Sequence, residues 1–140
     1  MPLPEPQILA SVKENNMSIE RTNEFGKINI EVEAIATLAG GAVSECYGIV
    51  GMASRKFFKD GWAELLKTDN YAKGVEVRKT ENGLELDLYI LVSYGVKISE
   101  VVTEAQKKVA YVMKKALDLS FSTINIYVQG VKVIDWWKST

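Results

Sequence analysis

The 140-residue sequence predicts an α+β fold in which two helices pack on one face of a small mixed β-sheet, in the order β-α-β-β-β-α-β. Three observations carry that expectation. Alternating apolar residues flank Asn82-Gly83, as in a β-hairpin. An apolar stripe at helical spacing runs from Ile98 to Ala116. A last alternating run, Ile124, Ile126 and Val128, ends at Gly130.

Residues 1–24 hold Pro2, Pro4 and Pro6 and scattered charges, and are expected to form an irregular or weakly helical lead-in. A single domain is expected over 25–131, followed by a tail at 132–140. Gly26-Lys27-Ile28-Asn29-Ile30 alternates as a short strand. Val32, Ile35, Ala36, Ala39 and Val43 then recur at helical spacing, which predicts a helix over 31–44. Gly40-Gly41 inside it costs about 1 kcal/mol per residue relative to alanine, and close packing is the expected reason for keeping them. Cys46 to Ser54 is apolar and too short for a second helix, so it reads as a buried strand. Gly48 and Gly51 would mark a bulge or a close backbone approach there.

With Asn82-Gly83 as a type I′ loop, Val77 faces Leu88 and Val75 faces Ile90. On the opposite face Arg78 meets Asp87 and Glu76 meets Tyr89, so register and charge agree. The long helix follows, with Ile98, Val101, Val102, Ala105, Val109, Val112, Met113 and Ala116 on one stripe. Glu100 and Glu104 lie early and Lys114 and Lys115 late, as the helix dipole favours, and Glu104 is spaced to pair with Lys108.

The composition bounds the chemistry. There is no histidine and only one cysteine, Cys46, which excludes histidine-based triads, histidine-ligated zinc, intrachain disulfides and thiolate cages. Lys and Arg number 17 against 18 Asp and Glu, a net charge of −1, so no global basic field exists to hold nucleic acid. The N-terminus lacks the pattern of a secretory signal and no run is long enough to span a membrane, so a soluble intracellular protein is expected. No catalytic group, cofactor or metal is expected.

Two stretches are candidate partner-binding sites. Arg55, Lys56, Phe57, Phe58 and Trp62 open a basic and aromatic segment that reaches Lys73. It suits protein docking or, as the second functional reading, a nucleic-acid platform on which rings stack against bases. A plainer reading makes residues 60–67 a short helix that plugs Phe58, Trp62, Leu65 and Leu66 into the core. Trp136-Trp137 is the second stretch, either a contact hot spot or a tail folded over the core edge. Cys46 reads as an inert buried thiol in an apolar setting, and Glu85 with Asp87 as solvated partners of Arg78 across the hairpin. Gly48 and Gly51 lack the lysine and hydroxyl residue of a phosphate loop.

The run Gly26-x-Ile28-x-Ile30-x-Val32-x-x-Ile35-Ala36, then Cys46-x-Gly48-Ile49-x-Gly51-Met52, then Val92-x-Tyr94-Gly95-x-x-Ile98, and finally Ile124-x-Ile126-x-Val128-x-Gly130-Val131 resembles the alkaline shock protein 23 family. The family usually has a valine and an acidic residue before the first motif glycine, where this chain has Cys46 and Tyr47. The resemblance implies a non-enzymatic envelope stress protein of Gram-positive bacteria. It further implies a cytoplasmic protein, in some members held at the inner face of the membrane by a protein anchor; self-association is expected beside it.

Overall fold

The computed structural model describes residues 9–13, 16–53 and 74–133, with side chains from Ser18 onward. Two compact units meet between Ile35 and Ala36 in sequence. The first is an antiparallel meander of β1 (Leu9–Lys13), β2 (Asn16–Asn23) and β3 (Gly26–Glu31). Strands β1 and β2 therefore replace the irregular lead-in expected before residue 25, and β3 belongs to this meander instead of the larger sheet. The reason is cross-strand pairing: Ile19, fully buried, sits opposite Ile30, and an alternation of only Met17 and Ile19 is too short to mark a strand. The β2–β3 turn is closed by Asn23, whose Oδ1 accepts from the backbone N–H groups of Phe25 at 2.9 Å and Gly26 at 3.1 Å.

Helix α1 (Val32–Ser44) follows β3 directly and buries Ile35, Ala36, Ala39, Ala42 and Val43. It runs straight through Gly40-Gly41. A Cβ added at Gly41 would meet nothing within 4 Å, so the close packing expected there is not what keeps that glycine.

The second sheet is built on one strand. β6 (Gly83–Ser93) is buried at every position from Leu86 to Val92, because both of its edges are taken. On one edge β4 (Ile49–Met52) and β5 (Val75–Thr80) pair antiparallel with its two halves; on the other, β7 (Thr123–Lys132) pairs parallel along its length. Parallel neighbours need a crossover, and α2 (Ile98–Leu117) supplies it, burying Val101, Ala105, Val109 and Met113. Gln106 Nε2 of α2 donates to the Ile124 carbonyl of β7 at 2.8 Å, and Ser122 ties the return loop to the Leu84 carbonyl through both its N–H and its hydroxyl. The helix ends at Asp118 in the left-handed region (φ 53°), where the N–H groups of Asp118 and Leu119 cap the Lys114 and Met113 carbonyls. From β3 onward the element order is the expected one.

The β5–β6 hairpin forms in a register displaced by two residues. Val75 faces Leu88, Val77 faces Leu86 and Arg78 faces Glu85, with Glu81-Asn82 as the loop. Gly83, with φ +118°, is the residue at positive φ, so the turn is not type I′. Thr80 competes for it: its hydroxyl accepts from the Asn82 N–H and donates to the Gly83 carbonyl. A shift of two keeps every side chain on its face, which is why the apolar pattern could not detect it. Arg78 still reaches Asp87, now diagonally, through Nε at 2.7 Å and an NH2 contact at 3.1 Å. It also pairs with Glu85 at 3.1 Å, and Asn125 of β7 donates to Asp87 Oδ1 at 2.9 Å. Asp87 is only 4% exposed while Arg78 keeps 45% of its side chain in water, so the pairing expected to be solvated is instead buried at the Asp87 carboxylate and solvated at the guanidinium.

Two outcomes follow from these contacts. Gly48→Ala should destabilise by about 1–3 kcal/mol, since its φ is +87° and an added Cβ would lie 2.8 Å from Val101 Cγ2. Gly51→Ala, with open space around it, should stay within about 0.5 kcal/mol, and urea unfolding of both variants compares them directly. Asp87→Ala should cost about 2 kcal/mol in the same assay, because it strips partners from Arg78 and Asn125 at once.

Candidate functional site

The candidate partner-binding residues Arg55, Lys56, Phe57, Phe58, Trp62, Trp136 and Trp137, and the helix expected over 60–67, lie outside the described residues. Within them, the surface that stands out is built on the two glycine-containing turns that flank α2's start. The turn from Glu45 to Gly48 ends α1 and enters β4; the turn from Ser93 to Lys97 leaves β6 and enters α2. Ser93 N–H donates to the Gly48 carbonyl at 2.8 Å and Tyr94 N–H to the Lys132 carbonyl at 2.9 Å, which holds both turns and the end of β7 together. Gly95 takes φ +94° to make its turn. Gly48 lets Val101 of α2 sit against its backbone.

Two concavities open on either side of this junction and share Tyr47 and Val96. The smaller, 410 Å³, is lined by Tyr47, Val50, Tyr94 and Val133 around the motif backbone. Its side chains are unusually bare for apolar groups: Tyr47 is 87% exposed, Tyr94 71% and Val133 62%. The larger is a groove of 890 Å³ along α2, floored by Cys46, Val96, Val101 and Val112. Its rim carries charges of both signs and Tyr111, over whose ring Lys115 Nζ lies 5.5 Å from the centroid.

Those charges are satisfied locally. Lys108 reaches out of α2 to Glu45 at 2.9 Å, a bond that raises the lysine's pKa above its ordinary value. The expected Glu104–Lys108 pair is replaced accordingly, and Glu104 takes Lys107 at 3.6 Å. Glu45 wins because it comes from a separate turn facing the lysine, a partner that helical spacing cannot reveal. Cys46 donates its thiol to the Ala42 carbonyl at 3.5 Å, and burial pushes its pKa up more strongly than Lys108 draws it down. A thiol held protonated is a poor nucleophile, although Cys46 is half-buried, not fully buried as expected. The arrangement suits contact with another macromolecule, through rings and exchangeable ion pairs. Among the described residues no group of three or more metal-ligating side chains comes together, and no helix is long and apolar enough to cross a membrane.

Sequence reasoning missed Tyr47, Tyr94 and Tyr111 as surface residues. Tyr94 was legible only as a strand end, and Tyr47 only as a departure from a family pattern. Tyr111 had a usable signal, since it lies opposite the apolar stripe of α2 on a helical wheel.

Comparison with known proteins places these turns in a wider group. The profile of the alkaline shock protein 23 family, described by a cell envelope-related function, matches residues 20–133. The uncharacterised protein YloU of Bacillus subtilis is 50% identical over 117 residues, 84% of this chain and 98% of that protein. The uncharacterised protein Spy1614 of Streptococcus pyogenes serotype M6 is 42% identical over 118 residues, again 84% of this chain and 98% of that protein. YqhY of Bacillus subtilis, also uncharacterised, is 34% identical over 108 residues, 77% of this chain and 78% of that protein. A solved structure of the MamM CTD in its copper form aligns at a TM-score of 0.41 and 11% identity, over 77% of this chain and 91% of that one, too distant to bear on function. The profile match across both strand-bearing units and the identity to two near-full-length relatives agree, and the chain belongs to the alkaline shock protein 23 family, whose function is cell envelope-related.

Proposed function

We propose that this chain is a non-enzymatic protein of the envelope and alkaline stress response that works by binding other proteins, as a scaffold or as a protein brought to the inner face of the membrane by a partner. One observation carries the reading. The turns that hold the fold's motif glycines also present Tyr47, Tyr94, Val50 and Val133 as a contiguous, exposed, partly apolar surface beside the groove along α2. Rings fixed on ordered turns lose little conformational freedom on binding, and desolvating them in a partner's pocket is the commonest source of contact energy between proteins. The cell envelope-related function of the family supports the setting. Cytoplasmic residence and self-association belong to the same proposal.

The test is recovery of partners from a Gram-positive lysate by the wild-type chain and by Tyr47→Ser/Tyr94→Ser. Both residues are exposed, so stability should change little. The double variant should lose its main partner, with affinity falling by about 2 kcal/mol or more once that partner is purified. Recovery of the same partners by both chains would sink the reading. Trp136→Ala/Trp137→Ala, run alongside, reports on the tail separately.

A further inference from the structure

The outward face of α2 has a pattern that the fold does not require. Tyr111 sits between Lys107 and Lys108 one turn before it and Lys114 and Lys115 one turn after it, so four lysines share its helix face; Lys115 lies over the ring, while Lys114 pairs with Asp118 at 2.8 Å. The helix dipole accounts for Lys114 and Lys115 in the last turn, but not for Lys107 and Lys108 near the middle. The opposite end of the face is acidic, with Glu100 and Glu104, so charge is polarised along the helix of a protein whose net charge is only −1. Beside this face lies the 890 Å³ groove with its apolar floor of Cys46, Val96, Val101 and Val112.

We propose that the groove along α2 receives an acidic, amphipathic peptide segment of a partner protein, with its apolar side chains on the valine floor and its carboxylates on Lys107, Lys108 and Lys115. This rests on the protein-docking reading and names the chemistry of the partner. Shape and charge choose the occupant together. A concave site with an apolar floor fits a peptide bearing residues at i, i+3, i+4 and i+7, whereas a membrane surface needs a flat or convex basic face. A nucleic acid strand carries a phosphate at every step and would set some of them against Glu100 and Glu104, whereas a peptide can confine its carboxylates to the stretch facing Lys107, Lys108 and Lys115. The existing pairs do not block entry. Lys107–Glu104 at 3.6 Å and Lys108–Glu45 at 2.9 Å are exposed pairs, and Lys115 has its Tyr111 contact at the surface, so incoming carboxylates exchange for solvated interactions.

Because the partner is unidentified, the probe is a random linear peptide library displayed on phage, panned against the full chain. Selected peptides are then synthesised and titrated against wild type, Lys107→Glu/Lys115→Glu and the milder Lys107→Gln/Lys115→Gln. The expected winners are rich in Asp and Glu with apolar residues at helical spacing. They should bind the charge-reversed chain about tenfold or more weakly, the glutamine variant by a smaller factor of the same sign, and all should weaken with salt. Winners without acidic enrichment, no winners, or equal binding to the three chains would overturn the proposal. So would binding to phosphatidylglycerol vesicles or a single-stranded oligodeoxynucleotide that the same reversal abolishes, since each names a different occupant. If the lysate partner is lost on Tyr47→Ser/Tyr94→Ser while the library shows no acidic preference, protein docking stands and the acidic peptide falls.

Discussion

The rest of the described surface depends on one close approach, the seating of Val101 against the backbone of Gly48. Any side chain at residue 48 would collide with it, and the backbone there already lies at positive φ, where glycine alone is unstrained. That contact sets how near the start of α2 comes to the turn that ends α1. The two walls of the groove, Tyr47 on one side and the Lys97 to Lys115 face on the other, are a consequence. The motif glycines thus serve the fold, and the fold in turn presents the residues between them.

A second constraint works through β6. With antiparallel partners on one edge and a parallel one on the other, its whole central run leaves water, including a carboxylate. Burying Asp87 is tolerable because Arg78 and Asn125 bring it charge and hydrogen bonds from both neighbouring strands. Replacing such a cluster by apolar residues is often no less stable, whereas removing one partner leaves a buried charge uncompensated. The observed register is not the one the Asn-Gly turn would favour.

The surface follows a different logic from the core. Its ion pairs are short-range and exposed, worth little each, and free to exchange with those of a partner. Tyr127 stacks on the buried ring of Tyr89, whereas Tyr47 and Tyr94 stand largely in water. The proposed docking function uses the places where ordered turns and the α2 face meet solvent.

The α+β class, both helices and the strands of the larger sheet were legible in the sequence, since each depends on apolar periodicity, which is local. The family was legible too, because its glycine spacing reports backbone requirements at fixed places. The β1–β2–β3 meander was not legible: Ile19 acquires its meaning only opposite Ile30. Nor was the hairpin register, since a shift of two residues preserves the pattern and Thr80, not Asn82-Gly83, directs the turn. Of the candidate site, only the charges of α2 could be read, while the pairing of Lys108 with Glu45 and the shared surface of Tyr47 and Tyr94 arose from elements far apart in the chain. Sequence alone determined which segments hide a face from water; tertiary structure decided which faces stay exposed together, because that depends on long-range approaches such as Val101 onto Gly48.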